Sequence, residues 1–317
     1  MELKHIIEAQ QFERNWLEEE FFPLVKQMER RVDLGGSSDL LGKRMIILFY
    51  EPSTRTRASF EMAMVIQGGI VAFSTENAKE FTKAVVGETL EDTIRVFCRY
   101  RPDVIVLRYY EEGGAKRAAE VSSVPIINAG DGPGQHPTQA LLDLYTIYKK
   151  LGRIDNISIA MCGDLARGRT VRSLSYLLGK FSDIKIYFVS PEVLRMKEDI
   201  KNYLDRHGVI WTEEYHDLWA VAPKIDVIYQ TRTQTERPDQ AIDRTALVKR
   251  YDKTEGFYIV NQEVLDLMKK DAIVMHPLPR VNEITPEVDK DPRAVYLTDQ
   301  VESGLVTRMA LLKMILT

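Results

Sequence analysis

Residues 51 to 57 read Glu-Pro-Ser-Thr-Arg-Thr-Arg, so three hydroxyls and two guanidinium groups fall between Ser53 and Arg57. The apolar run Met45 to Phe49 before them predicts a strand, and Pro52 breaks it. Ser53 then stands where a helix with Phe60, Ala63 and Met64 on its apolar face would be capped. The start of a helix offers unpaired backbone N–H groups and the positive end of the peptide dipole, which together favour an anion. Arg55 adds a planar fork matched to phosphate oxygens, and Thr54 and Thr56 add hydroxyl donors. Ser-Thr alone would be an ordinary capped helix; the interleaved arginines make this an anion-binding segment. The pattern GxxxxGK[ST] is not present, so a nucleoside triphosphate is not implied.

Comparable polar turns follow most of the apolar runs. They are Ser74 to Asn77, Arg108, Gly130 to Gln139, Gly163 to Arg172, Thr231 to Arg237 and His276 to Arg280. Ligands of open parallel sheets bind at the carboxyl ends of the strands, so these turns are expected to contribute to one site. Loops that were merely polar would carry scattered lysine and glutamate, whereas arginine falls in most of these turns. Gly163-Asp164 after a strand resembles the start of a dinucleotide turn, but Gly-x-Gly-x-x-Gly is absent.

The elements that must position these residues are legible as short β-branched runs separated by helical stretches. Met45–Phe49, Ile70–Phe73, Val104–Leu107, Pro125–Ile127, Ile157–Met161, Lys185–Val189, Val227–Tyr229 and Ala272–Met275 read as buried strands. Their apolar character is continuous rather than alternating, as in parallel strands covered on both faces. The stretch His136 to Lys150 has Ala140, Leu141, Leu144, Ile147 and Tyr148 on one face and predicts a connecting helix; Leu305 to Leu316 predicts another. The expected fold is α/β, two doubly wound parallel-sheet domains with a shared inter-domain active site. The expected boundaries are 1–135 together with a C-terminal helix at about 300–317, and 136–299.

A chain of 317 residues with 44% hydrophobic and 28% charged residues is large enough for two ordinary globular domains. A net charge of -4 and an isoelectric point near 5.9 weigh against a general nucleic-acid binder. No apolar run reaches the ~20 residues of a membrane span, and Met1 to Phe22 lacks the apolar centre of a signal peptide. Cys98 and Cys162 lie in apolar runs and read as reduced core residues of a cytoplasmic protein. His5, His136, His207, His216 and His276 are scattered, with no metal-ligand spacing, so a zinc site is not expected.

Ser53-Thr54-Arg55-Thr56-Arg57 followed by Ala58-Ser59-Phe60-Glu61 resembles the phosphate-binding signature of the aspartate and ornithine carbamoyltransferases. The resemblance runs along essentially the whole chain. Gly87 to Thr93, His136-Pro137-Thr138-Gln139, Thr231-Arg232-Thr233-Gln234 and His276-Pro277-Leu278-Pro279-Arg280 resemble the aspartate branch; the ornithine branch carries a cysteine-bearing segment in place of the last.

The resemblance implies carbamoyl phosphate as donor and L-aspartate as acceptor, in pyrimidine biosynthesis. Ser53, Thr54, Arg55, Thr56 and Arg108 would hold the phosphate. His136, with Arg108 and Thr56, would polarise the carbonyl oxygen, and Gln139 with the backbone of Leu278 and Pro279 would hold the carbamoyl NH₂. His136 taken alone would be a plain helix-start histidine, and His276 carries no implied role beyond structure. Two carboxylates on the acceptor call for two guanidinium forks, for which Arg169 and Arg232, with Gln234, are the candidates. Arg167 and Arg172 are expected to be surface charges, and Arg237 a brace between loops. The implied assembly is a homotrimer, with a regulatory chain or paired trimers left open, and no nucleic acid or membrane partner.

Two positions depart from the family pattern. Where a loop lysine immediately precedes Gly-Glu, this chain has Val86, which brings no charge to either substrate. Three accounts are compatible with it. Lys83 could serve from a shifted loop reaching a neighbouring subunit, another amino acid could be the acceptor, or the chain could be a weakly catalytic subunit. After Arg108 the chain has Tyr109 where the family has a polar residue; the ring would either shape the mouth of the donor pocket or pack.

Overall fold

The computed structural model describes residues 3–81, 87–214, 218–232 and 258–317. Lys83, Val86, Gln234 and Arg237 lie outside the described residues. The chain divides into two compact units, Met1–Leu142 with Glu302–Thr317, and Asp143–Val301.

The first unit contains four parallel strands, β1 (Arg44–Phe49), β2 (Ile70–Thr75), β3 (Val104–Tyr109) and β4 (Ile126–Asp131), in the order β2-β1-β3-β4. The apolar runs of β1, β3 and β4 are buried, as their continuous pattern predicts. Ile46, Leu48, Ile105, Leu107 and Ile126 form one core with Leu90 and Ile94 of the helix Leu90–Arg99 and Ala118 of the helix Gly114–Val121. β2 corrects the expectation of burial: it forms the edge of the sheet, with Ile70 51% and Phe73 43% exposed. A run of apolar residues reports that a strand can be covered, not that its own chain covers it.

The second unit contains five parallel strands, β5 (Ser158–Cys162), β6 (Lys185–Val189), β7 (Ile210–Glu214), β8 (Val227–Gln230) and β9 (Ile273–Met275), ordered β7-β6-β5-β8-β9. Four of the five carry the predicted runs. β7, Ile-Trp-Thr-Glu-Glu, has no continuous apolar run because it is an edge strand that leaves Ile210 exposed.

The helix predicted from His136 spans Pro137–Leu151, and the division between the units falls inside it. Ala140, Leu141, Leu144 and Ile147 are buried, and Tyr148 is exposed. The last helix, Asp299–Leu316, begins six residues before the predicted Leu305. Cys162 is buried, which pushes its thiol far above the ordinary range, whereas Cys98 is only half-buried and not the core residue expected. Among the described residues no helix is long and apolar enough to cross a membrane.

Both strand orders contain a reversal. In the first unit the chain builds outward from β1 to β2 and then returns to the other side of β1 with β3; in the second it builds from β5 to β6 and β7 and returns beside β5 with β8. At such a reversal two successive loops leave adjacent strands in opposite directions and open a crevice at the carboxyl ends.

Candidate active site

The reversal of the first unit lies between β1 and β3, whose register pairs Phe49 with Arg108, and the Tyr50 N–H donates to the Arg108 carbonyl at 2.8 Å. The segment Glu51 to Thr56 therefore leaves its strand beside Arg108. Ser53 takes the N-cap position of the helix Thr54–Ile66, but its hydroxyl does not cap. It lies 3.0 Å from the Thr56 hydroxyl instead, so the first-turn N–H groups have no Ser53 side-chain acceptor. This corrects the expected cap, and it leaves the helix start as the anion-attracting feature.

The two arginines of the segment diverge. Arg57 turns to acids, Glu61 at 3.4 Å and Glu76 at 3.8 Å, and Thr54 lies 3.4 Å from the same Glu76. Arg55 is exposed and, among the described residues, forms no ion pair; partial desolvation of its guanidinium draws its pKa below the ordinary arginine value. It remains a full cation at any physiological pH. Thr56 is buried. The Arg108 side chain is largely buried, donates to the Ala129 carbonyl at 3.1 Å and lies 3.5 Å from the Glu51 carboxylate. Those two acceptors fix the plane of the guanidinium, which is what a positioned cation requires.

His136 enters from the turn after β4. Asp131 holds that turn by accepting from the Gln135 N–H at 2.7 Å and the Gly113 N–H at 3.0 Å. His136 is buried, with Nδ1 3.4 Å from the Thr138 hydroxyl, and its carbonyl accepts from the N–H groups of Gln139 and Ala140. Gln139, half-buried, sits one turn into the helix. Tyr109 resolves its two alternatives towards packing. The ring is buried, edge-on to Tyr50 at 4.9 Å and over Tyr110 at 4.3 Å, and burial with the Tyr110 hydroxyl holds its phenol far above the ordinary range.

The reversal of the second unit lies between β5 and β8. The Thr231 N–H and hydroxyl both donate to the Cys162 carbonyl, at 2.9 and 2.7 Å, so the ends of these strands are tied together. Gly163 follows β5 at φ +102°, and a Cβ there would meet the Thr231 carbonyl oxygen at 2.3 Å, so only glycine fits the crossing. Arg169 is the first residue of the helix Arg169–Leu178 and is buried; Arg232, half-buried, follows Thr231 directly. Both predicted acceptor arginines thus stand where adjacent strands β5 and β8 end. Arg167 is not the surface charge expected: its side chain is 10% exposed and lies 3.8 Å from the fully buried Asp164. Arg172 is partly buried against Asp199.

Leu278 and Pro279 follow β9, which pairs with β8 through Tyr229 and Met275. Leu278 has φ +52°, a left-handed conformation that costs an ordinary residue about 1–2 kcal/mol, and its peptide bond to Pro279 is cis. His276 holds it. Its Nδ1 accepts from the Leu278 N–H at 2.8 Å, so the ring proton is on Nε2, which donates to Glu283 at 2.7 Å. Glu283 also accepts from the N–H groups of Val281 and Asn282, each at 3.1 Å. Arg280 closes the turn against Asp289 and the Tyr296 hydroxyl.

Burial works against ionised Glu283, but the hydrogen bonds from His276 and the backbone outweigh it and place the carboxyl below its ordinary 4.5. A depressed folded-state pKa contributes stability that is complete above the unfolded value and is lost as pH falls through the folded one. Glu283→Gln is therefore expected to be less stable than wild type at pH 7 by about 1–3 kcal/mol, because its amide faces two N–H donors. Below pH 4.5 the wild type should lose stability more steeply, and the gap should close. Thermal unfolding of both chains across a pH series measures this.

Glu51 and Asp143 were not among the predicted residues. Glu51 gave no sequence signal beyond its place in the turn. Asp143 did, because it interrupts the apolar stripe of Ala140, Leu144 and Ile147 with a carboxylate.

Comparison with known proteins reaches the whole chain. Residues 4–149 match the family profile "Aspartate/ornithine carbamoyltransferase, carbamoyl-P binding domain", and residues 155–315 match "Aspartate/ornithine carbamoyltransferase, Asp/Orn binding domain". The chloroplastic aspartate carbamoyltransferase of Arabidopsis thaliana is 54% identical over 99% of this chain and 78% of its own length. The aspartate carbamoyltransferase catalytic subunit of Methanopyrus kandleri is 45% identical over 99% of this chain and 97% of its own. A crystal structure of aspartate transcarbamoylase from Trypanosoma cruzi, in complex with carbamoyl phosphate and aspartate, is similar at a TM-score of 0.90 and 39% identity, covering 99% of this chain and 96% of that one.

Proposed function

The chain belongs to the aspartate/ornithine carbamoyltransferase family, and from that premise we infer that it is an aspartate carbamoyltransferase, moving the carbamoyl group of carbamoyl phosphate to the amine of L-aspartate. The observation that carries this reading is the placement of the arginines. Arg55 and Arg108 stand at the β1/β3 reversal, and Arg169 and Arg232 at the β5/β8 reversal. One pair suits a phosphate and the other a dicarboxylate. Relatives 54% and 45% identical to the chain are named for this reaction.

The transfer needs no covalent enzyme intermediate. The neutral α-amine of aspartate adds to the carbonyl carbon, negative charge develops on the carbonyl oxygen and on the phosphate, and phosphate leaves with the electron pair of the C–O bond. Arg55 and Arg108, with the hydroxyls of Ser53, Thr54 and Thr56 and the helix start, neutralise the phosphate in this reading. His136, Arg108 and Thr56 stabilise the oxyanion as hydrogen-bond donors. Gln139 and the carbonyls of Leu278 and Pro279 accept from the carbamoyl NH₂ and so orient its plane. Arg169 and Arg232 take the acceptor carboxylates, and Gln234 belongs to the same group by sequence. The leaving phosphate can take the proton that the amine sheds.

A homotrimer in the cytoplasm, serving de novo pyrimidine synthesis, completes the proposal. The exposed apolar residues Ile70 and Phe73 of β2, with Tyr100, support association with further copies, and the free thiols of Cys98 and Cys162 support a reducing compartment. Sedimentation of the purified chain checks the first of these. The activity is tested by a steady-state assay with both substrates: N-carbamoyl-L-aspartate and phosphate are expected in equal amounts. No product at millimolar substrate would overturn the assignment and return weight to a weakly catalytic chain with Val86 in place of a lysine.

A further inference from the structure

Asp143 is fully buried in the helix Pro137–Leu151, and its two oxygens go separate ways. Oδ2 accepts from the Tyr229 hydroxyl at 2.6 Å, and Oδ1 accepts from Gln300 Nε2 at 2.7 Å. Each donor leads to a residue assigned to substrate, one along the chain and the other through two further hydrogen bonds. Tyr229 lies on β8, three positions before Arg232. Gln300 opens the last helix, and its Oε1 accepts from the His276 N–H at 2.9 Å; His276 in turn holds the Leu278 N–H. One carboxylate therefore joins β8 to the Leu278 turn.

Desolvating a carboxylate costs several kcal/mol, and an apolar residue on this stripe would pack without that cost. What the carboxylate provides is direction. Both donors are neutral, and an ionised carboxylate is an acceptor at both oxygens, so the Tyr229 hydroxyl and the Gln300 amide can each take only one orientation towards it. Both donors are also buried, so water cannot replace the bonds.

We propose that Asp143 is the positioning residue of the acceptor-binding unit, setting Arg232 through Tyr229 on β8, and Leu278 through Gln300 and His276. Asp143 touches no reacting atom in this scheme. The inference rests on the assignment of the chain as an aspartate carbamoyltransferase and adds a second function of the helix that begins after His136.

The test is a steady-state comparison of wild type, Tyr229→Phe and Gln300→Leu, with thermal unfolding of each. Misplacing a binding group by about an ångström can cost up to about a hundredfold, and loss of one of several supports should cost about tenfold. Tyr229→Phe is expected to raise KM for aspartate about tenfold and to leave KM for carbamoyl phosphate within about twofold. Gln300→Leu is expected to lower kcat about tenfold through the Leu278 turn. The double variant should lose less than the product of the two, because both act through one carboxylate. Asp143→Asn, which keeps the shape but turns one acceptor into a donor, tests the Tyr229 arm if Tyr229→Phe does not fold, with the same expected rise in KM for aspartate. A lowered melting temperature with both KM values at the wild-type level would overturn the proposal, as would an equal rise in both. Failure of the wild type to form carbamoyl-aspartate would reject the enzyme assignment instead, so the two failures are distinguishable.

Discussion

Replacing Arg55 by alanine is expected to lower kcat/KM for carbamoyl phosphate by about a thousandfold, whereas Arg57→Ala should change it by about fivefold or less. The two side chains have the same chemistry and sit two positions apart, so only their surroundings separate them. Arg57 is engaged by Glu61 and Glu76, and its charge is already balanced in a partly exposed pair that contributes little to stability. Arg55 stands at the start of the helix Thr54–Ile66 with no ion pair among the described residues, and the helix dipole adds to its attraction for an anion. A charge-assisted contact that strengthens as charge moves onto a leaving phosphate contributes about 3–4 kcal/mol, and each 1.4 kcal/mol is about tenfold in rate. Arg55→Lys should recover only part of the loss, since an ammonium keeps the charge but not the fork. Initial rates over a matrix of both substrates, with melting temperatures as a control on folding, measure these values. Equal losses at Arg55 and Arg57 would mean that the phosphate is not read by Arg55 in particular.

The resemblance singled out Arg55 and not Arg57, but the acidic partners that separate the two were not available from the sequence, and the reason is general. Local periodicity identifies a buried parallel strand because its apolar run is continuous, so Met45–Phe49, Val104–Leu107 and Ile157–Met161 were legible as strands. The arginines after them were legible as site residues because anion chemistry demands that residue type at a strand end. The order β2-β1-β3-β4 depends on pairing between distant segments, which leaves no local trace, and so the reversals beside Arg108 and Arg232 emerge only in the fold. Two of the four edge strands, β2 and β7, fail for a related reason. β7 lacked the pattern, and β2 had it yet lies exposed, because edge position is a property of the sheet. Side-chain partners are least legible of all. Ser53 turned to Thr56 and Arg167 to Asp164, each choice made by neighbours that the spacing of residues does not specify.

Arg169→Ala is expected to raise KM for aspartate by at least about a hundredfold while leaving carbamoyl phosphate binding within about twofold. Arg169 is buried at the first position of its helix, so a carboxylate paired with it is largely withdrawn from water, and truncating one partner of such a pair costs about 2–5 kcal/mol. The donor residues Arg55, Arg108 and His136 belong to the other compact unit, which is why the donor constant should not follow. Arg167→Ala provides the discriminating control. Its side chain lies 3.8 Å from Asp164, whose other oxygen accepts from the Arg167 backbone N–H at 3.1 Å, so its removal takes a cation away from a fully buried carboxylate. That variant should lose about 1–3 kcal/mol of stability and change KM for aspartate by only a few-fold. Calorimetric titration with carbamoyl phosphate, steady-state kinetics with aspartate and thermal unfolding separate the two outcomes. A variant at Arg169 that melted early and kept its aspartate KM would place that arginine in the packing of the helix start, and would leave Arg232 as the reader of the acceptor.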